Sequence, residues 1–343
     1  MSGGRRATYS CAAGPGYLVH PCEVSVCAML SVLGEALIDL VADDGDRYAA
    51  RPGGSPLNVA VGLARLDVPT ELLARLADDA FGRRLRGHAE SNRVGTSSCV
   101  RARQPTTLAV VSLDDQGRAE YDFYVEGTAD WQWTDDELAK LPAGTTVLHT
   151  GSLASWTAPG AKRISGMLER ERKDGSLLLS YDPNVRPRLL GSPARGRALI
   201  ERDVALAHVV KTSDEDVAYL YPELGPDEVI DHWLGLGPSV VVVTHGADGS
   251  RAGTSGGERV VRPPIRVDVA DTIGAGDAFM AGILASLHEN GLATPAAAAG
   301  ITAGEVARTL DDATLVAALT CERHGADPPT AAERSAALSR RAS

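Results

Sequence analysis

A carboxylate at the end of a turn of very small side chains is the first feature with chemical content. Asp271-Thr272-Ile273-Gly274-Ala275-Gly276-Asp277 leads into an apolar run of small residues, Ala278 to Leu284, that reads as a helix. Side chains no larger than methyl at Gly274, Ala275 and Gly276 let backbone N–H groups approach a bound anion, and a helix N-terminus adds about half a positive charge. Asp277 alone has a plainer reading, since an acidic first turn complements any helix dipole. Asn58 offers both donor and acceptor where a helix interior would otherwise disfavour it. Arg186, after Asp182-Pro183-Asn184-Val185, brings a fork-shaped cation suited to phosphate or carboxylate.

Composition narrows the class. The chain has 343 residues, 44% of them hydrophobic and 23% charged, enough for a substantial core. A net charge of −11 repels polyanions, so nucleic acid is not an expected partner. The most apolar stretch, Val24 to Val41, is interrupted by Gly34, Glu35 and Asp39, so no membrane span is expected. None of the four lysines, Lys140, Lys162, Lys173 and Lys211, follows a glycine, which rules out a Walker A loop. No Gly-x-Gly-x-x-Gly occurs, so the usual dinucleotide fingerprint is absent. Five cysteines without a Cys-x-x-Cys suit a reducing cytoplasm. Gly253-Thr254-Ser255-Gly256-Gly257 satisfies Gly-x-Ser-x-Gly, but Arg259 to Val261 and Pro263-Pro264 follow where a nucleophile elbow needs a helix.

The elements that must position these residues alternate short apolar runs with amphipathic stretches, the rhythm of a parallel sheet covered by helices. Buried strands are expected over Cys27 to Ile38, Val147 to Thr150, Leu177 to Tyr181, Val209 to Lys211 and Val240 to Thr244, with ligands at their carboxyl ends. Ser55 before Pro56, Thr134 with Glu137, and Thr294 before Pro295 read as helix starts. Alternating runs from Thr107 to Val125 flank Asp114-Asp115-Gln116-Gly117 and read as a hairpin appended to the main sheet. Tyr121, Phe123, Tyr124, Trp131 and Trp133 follow closely, either packing the hairpin, forming a dimer contact, or stacking on a polyol. Residues 1–23, broken by glycines and prolines, read as a disordered extension. Residues 24–330 form one domain with lid strands at about 40–54 and 104–127. Residues 331–343, ending near Arg340-Arg341, read as a frayed tail.

The string Asp271 to Asp277 resembles the signature of the PfkB, or ribokinase-like, carbohydrate kinases. Arg51-Pro52-Gly53-Gly54-Ser55-Pro56-Leu57-Asn58-Val59-Ala60 resembles the N-terminal signature of the same family, and the resemblance runs from about Val24 to Pro328. It implies a three-layer α/β/α sandwich with a central, mostly parallel sheet and a small β-strand lid. It implies ATP-dependent phosphorylation of a sugar hydroxyl with Mg2+, Asp277 as base, and, in the turn of Gly274, Ala275 and Gly276, an anion hole made by the N–H groups of Ala275, Gly276 and Asp277. Asp39, Gly53, Gly54, Asn58 and Arg186 would meet the sugar. Thr244, Gly246 and Gly249 resemble the ATP loop, and Gly325 the adenine wall. Lys211, Ser213 and Asp216 occupy the place of the Asn-x-x-Glu motif that holds magnesium through water. Ser213 and Asp216 depart from that motif and equally spell a capping box. Backbone carbonyls of Asp271 and Ile273 would hold a monovalent cation, K+.

Asp182-Pro183-Asn184-Val185-Arg186 resembles fructokinases and 2-keto-3-deoxygluconate kinases, and Gly127-Thr128-Ala129-Asp130-Trp131 and Ser213-Asp214-Glu215-Asp216 resemble bacterial fructokinases. Fructose is the expected acceptor, with 2-keto-3-deoxygluconate, another sugar or a nucleoside as alternatives. A non-catalytic sugar-binding protein would be expected to have lost Asp277. A homodimer through the lid and a cytoplasmic location complete the expectations.

Overall fold

The computed structural model describes residues 28–42, 47–113 and 119–342. The expectation for residues 1–23 and the turn Asp114 to Gly117 therefore lie outside the described residues. The apolar run read as one strand divides: β1 (Met29–Leu33) is followed by a turn at Gly34 to Ala36, and β2 (Leu37–Ala42) then pairs with β3 (Tyr48–Gly53) in a different sheet. Hydrophobicity alone does not reveal this break. Backbone at Gly34 lies so close to Pro56 that an added Cβ would fall 2.3 Å from its ring. Next come α1 (Ser55–Arg65), β4 (Thr70–Leu73), β5 (Arg75–Ala77), α2 (Ala80–Ser91) and β6 (Val100–Ala102). Then β7 (Leu108–Leu113) and β8 (Ala119–Tyr124) complete a four-stranded sheet of order β3-β2-β7-β8.

From β9 (Thr145–Gly151) the chain returns to the main sheet through α3 (Ser152–Trp156), α4 (Gly160–Asp174) and β10 (Leu178–Asp182). It continues through α5 (Pro187–Leu190), α6 (Pro193–Val204), β11 (Val209–Ser213), α7 (Asp214–Leu220), α8 (Pro226–Leu236) and β12 (Val240–Thr244). The antiparallel hairpin of β13 (Ser250–Thr254) and β14 (Arg259–Arg262) closes one edge. Gly253 to Gly257 is its turn, with no helix following, so the serine-hydrolase motif has no elbow. The chain ends with α9 (Ala275–Glu289), α10 (Pro295–Ala299), α11 (Ala303–Cys321) and α12 (Ala331–Ala342).

The main sheet has the order β14-β13-β12-β11-β10-β9-β1-β4 and is parallel from β12 to β4. Successive strand side chains point to opposite faces, which makes a continuous apolar strand serve two cores. Val240 and Val242 join a cluster with α1, α9 and α11, while Val241 and Val243 join one with α4, α6, α7 and α8. This is the three-layer α/β/α sandwich. Helix α9 is apolar on every side and sits inside the helical layer: an added Cβ on Gly282 would lie 2.6 Å from Ala313 Cα, and one on Gly62 would lie 2.7 Å from Ala281 Cβ.

Several local expectations change. Thr294 caps α10 through the Ala297 N–H, and Thr134 with Glu137 makes reciprocal bonds, but around a turn rather than a helix. Trp131 and Trp133 are core residues, packed with the second cluster, whereas Tyr124 is 61% exposed. The segment read as a frayed tail is α12, with Ala337 buried against Leu315 and Leu319.

Candidate active site

The carboxyl ends of β1, β10, β11 and β12 all lie at one edge of the main sheet and deliver Glu35, Asp182, Ser213 and Thr244 to it. The turn before α9 arrives at the same edge. Gly274 caps that helix at φ 76°, a left-handed conformation where a Cβ is unfavourable, and an added Cβ would meet Ala326 Cα at 2.9 Å. Asp271 fixes the turn from both sides: its Oδ1 accepts from the Ile273 N–H at 3.0 Å and its Oδ2 from the Gly325 N–H at 2.8 Å. Gly325 thus braces the signature turn and does not line the nucleotide-sized cleft described below. The Ala275 N–H is also committed, donating to Thr272 O at 3.2 Å, while among the described residues Gly276 and Asp277 N–H have no backbone acceptor. The anion hole is therefore one donor narrower than expected.

Asp277 lies in the first turn of α9 and is only 9% exposed. Its Oδ1 accepts from Ser55 Oγ at 2.6 Å and its Oδ2 from Asn58 Nδ2 at 2.8 Å. Burial raises its proton affinity above the usual carboxylate range. The Ser55 and Asn58 bonds and the Lys211 charge oppose the rise, and Asp182 adds to it. Ser55 is not the cap of α1: that place belongs to Gly54, at φ 105°, where an added Cβ would meet Glu35 O at 2.6 Å. Asn58, expected at the sugar, donates to Asp277.

Lys211 Nζ donates to Asp182 Oδ2 at 2.9 Å, both side chains being almost wholly buried. Burial works against the ammonium charge, but Asp182, Asp216 and Asp277 together raise its proton affinity. A Cβ on Gly276 would lie 3.1 Å from Nζ, so the cation underlies the turn. Asp182 went unassigned in sequence, although it opens the string that ends in Arg186. Ser213 and Asp216 form the capping box of α7. Asp216 also accepts from the Val185 N–H at 3.0 Å and from Thr212 Oγ1 at 3.2 Å, so it tethers the loop that carries Arg186. Burial and then Asp182 raise the proton affinity of Asp216. With these acceptor positions occupied, Asp216 suits a hydrated cation reached through water, as Mg2+ on phosphate oxygens is usually held. Among the described residues no group of three or more His, Cys, Asp or Glu is arranged to hold a metal ion.

Asp39 lies within β2, in the smaller sheet, paired with Arg51 of β3. A Cβ on Gly53 would fall 2.1 Å from its Oδ2, so glycine there leaves room for the carboxylate. Burial pushes Asp39 up to about 6; the Arg186 charge opposes this and Asp277 reinforces it. Arg186 Nη1 donates to Asn184 Oδ1 at 2.7 Å and to Val185 O at 3.0 Å.

Beside the signature turn is a cleft of about 470 Å³. Thr244, Gly246 and Gly249 form one wall and Ala275 and Gly276 part of the floor. Ala317 and Ala318 of α11 and Phe279 of α9 supply an apolar wall, as do Val267 and Val269, which sequence reading missed because an irregular linker carries no periodic signal.

A cleft meeting a helix N-terminus, with one buried carboxylate in the first turn of that helix and a second on the smaller sheet that feels its charge, fits a phosphotransferase acting on a hydroxyl. The model of the pfkB family of carbohydrate kinases matches residues 28–333, and the chain belongs to that family as a sugar phosphotransferase. It is 36% identical over 317 residues to a fructokinase of Rhizobium leguminosarum bv. trifolii, covering 91% of each chain. It is similar to a fructokinase of Xylella fastidiosa solved with bound ATP, with a TM-score of 0.83, 28% identity, and coverage of 92% and 99% of the two chains. A double-mutant fructokinase of Vibrio cholerae O395, solved with fructose, ADP and potassium, gives a TM-score of 0.79, 27% identity, and coverage of 90% and 97%.

Proposed function

We propose that this chain is an ATP-dependent fructokinase that transfers the γ-phosphoryl group of ATP to a hydroxyl of D-fructose. The observation that carries the reading is Asp277: a buried, hydrogen-bonded carboxylate whose helix presents two uncommitted N–H groups beside a nucleotide-sized cleft. The names of its relatives support fructose as acceptor.

In this reading the sugar hydroxyl proton passes to Asp277 as the hydroxyl oxygen bonds to phosphorus and the bond from phosphorus to the ADP oxygen breaks. A positioned base contributes about 10²–10⁴ in rate. Charge on the moving phosphoryl is met by the Gly276 and Asp277 N–H groups, and losing one such donor costs on the order of 10²–10³. Asp39, Gly53, Gly54, Asn58 and Arg186 receive the sugar, and Thr244, Gly246 and Gly249 the nucleotide, with Lys211 beneath the turn. Gly325 acts on the nucleotide side only through Asp271.

Asp216, seconded by Ser213, would hold Mg2+ through water, and that ion supplies neutralising charge to the phosphates. The carbonyls of Asp271 and Ile273, which accept no backbone hydrogen bond among the described residues, would hold K+. The four-stranded sheet serves as lid and as homodimer contact, with Tyr48 and Tyr124 exposed on its edge strands. No helix among the described residues is long and apolar enough to cross a membrane, and we place the enzyme in the cytoplasm.

Purified protein with Mg-ATP, offered fructose, 2-keto-3-deoxygluconate, ribose and adenosine, is expected to release ADP fastest with fructose. A preference for the acidic sugar or the nucleoside would overturn the acceptor assignment. Asp277→Asn is expected to bind fructose while losing turnover, and full turnover in that variant would remove the base.

A further inference from the structure

Ser55 reads in sequence as a helix cap, yet its hydroxyl reaches Asp277, 222 positions away, at 2.6 Å. Asn58 meets the other oxygen of the same carboxylate at 2.8 Å. Residues three apart lie on one face of a helix, so the two donors form a fork projecting from the first turns of α1. We propose that Ser55 is a positioning residue for phosphoryl transfer, fixing with Asn58 the plane of the Asp277 carboxylate so that one acceptor position on each oxygen stays open toward the sugar. The proposal rests on the assignment of Asp277 as base.

The need for such a fork follows from what surrounds the carboxylate. Lys211 on β11 acts as a cation on Asp277 and is already paired with Asp182 on β10, and the Asp39 carboxylate on β2 feels the Asp277 charge. A carboxylate free to rotate would turn toward the ammonium and bury the oxygens that must accept the proton. Two neutral donors on α1 counter that pull. A carboxylate has about four acceptor positions, and two donors on separate oxygens leave one on each. Position also matters: α1 begins directly after Gly53 and Gly54, the backbone that lies against Asp39 and Glu35. One helix start therefore links the base to the loop that contacts Asp39.

The test compares wild type with Ser55→Ala and Ser55→Thr. Losing a donor to the ionised form makes Asp277 easier to protonate. The acid limb of the kcat profile in Ser55→Ala is expected to move up by about one pH unit, a loss of roughly tenfold below the limb, since a hydrogen bond to a charged group is of that size. The KM for ATP should not change, and Ser55→Thr should restore the limb. A 13C titration of the Asp277 carboxylate without substrates should move in parallel. An unmoved limb together with an unmoved 13C titration would overturn the proposal. A moved 13C titration alongside full turnover by Asp277→Asn would instead leave the fork standing and remove the base. If Ser55→Ala does not fold, Ser55→Cys, of similar volume and a weaker donor, is read by the same two measurements.

Discussion

Replacing Lys211 with methionine removes a cation that Asp182, Asp216 and Asp277 all act upon. The Lys211 and Asp182 side chains are 6% and 1% exposed and 2.9 Å apart, so solvent does little to screen them. Removing one partner of a buried pair costs about 3–5 kcal/mol because the other charge is left uncompensated. At about 2 °C per kcal/mol for a large domain, Tm should fall by roughly 6–10 °C. Asp182→Asn is expected to cost less, since Lys211 keeps Asp216 and Asp277 as counter-charges. In the double variant no isolated charge of the pair remains, so its loss should fall short of the sum of the single losses by about 2 kcal/mol, within the usual range for contacting residues. Activity supplies an independent reading. Lys211 holds the proton affinity of Asp277 down and Asp182 pushes it up. Lys211→Met should therefore move the acid limb of kcat to higher pH, and adding Asp182→Asn should bring part of it back. Urea melts of the four proteins at pH 8, with pH profiles alongside, make the measurement. Additive losses within about 0.5 kcal/mol together with a stationary limb would refute the electrostatic account of this site.

Three further outcomes can be checked. Gly274→Ala forces a Cβ into left-handed backbone, at about 1–2 kcal/mol, and against Ala326, at about 1–3 kcal/mol; a loss below about 1 kcal/mol in a denaturant melt would contradict that geometry. Gly53→Ala places a methyl where Asp39 Oδ2 lies, and roughly 10²-fold in kcat/KM for the sugar is expected to go, with the KM for ATP unchanged, measured by initial rates. Burial raises Glu35 from 4.5 to about 7, with the neighbouring Asp130 adding to the rise. The folded protein therefore binds this proton more tightly than the unfolded chain does, and the resulting penalty is absent below pH about 4, grows through pH 5–7 and is full above. Glu35→Gln should accordingly raise Tm at pH 8 and not at pH 4.5, by up to about 3 kcal/mol of stability; equal effects at both pH values would count against a buried, titrating carboxyl.

Glu35 and Asp130 illustrate why part of the site was hidden. Asp130 Oδ1 accepts from the Ala36 N–H at 2.9 Å and Glu35 Oε2 from the Ala154 N–H at 3.1 Å, so the two carboxyls fasten the passage from the main sheet to the smaller one. In sequence Glu35 only interrupts an apolar stretch and Asp130 only belongs to a string of family resemblance, and burial gives each this task. Arg75 adds to the same region by donating to Ala129 O at 3.0 Å and pairing with Glu137.

What the sequence determined by itself was short in range. Small residues ending in an acid open a helix because glycine adopts the left-handed cap at Gly274 without steric cost, and four consecutive valines from Val240 require burial on both faces. A capping box at Ser213 and Asp216 and a cap at Thr294 follow from chemistry within one turn. The tertiary structure decided the partnerships: Ser55 with Asp277, Asp271 with Gly325, Lys211 with Asp182, and the division of the first apolar run between two sheets. Propensity and periodicity act over a few residues, while which distant side chains meet depends on how the sheet and helices close. A serine before proline satisfies a cap and a carboxylate equally well until the α9 turn is brought against it.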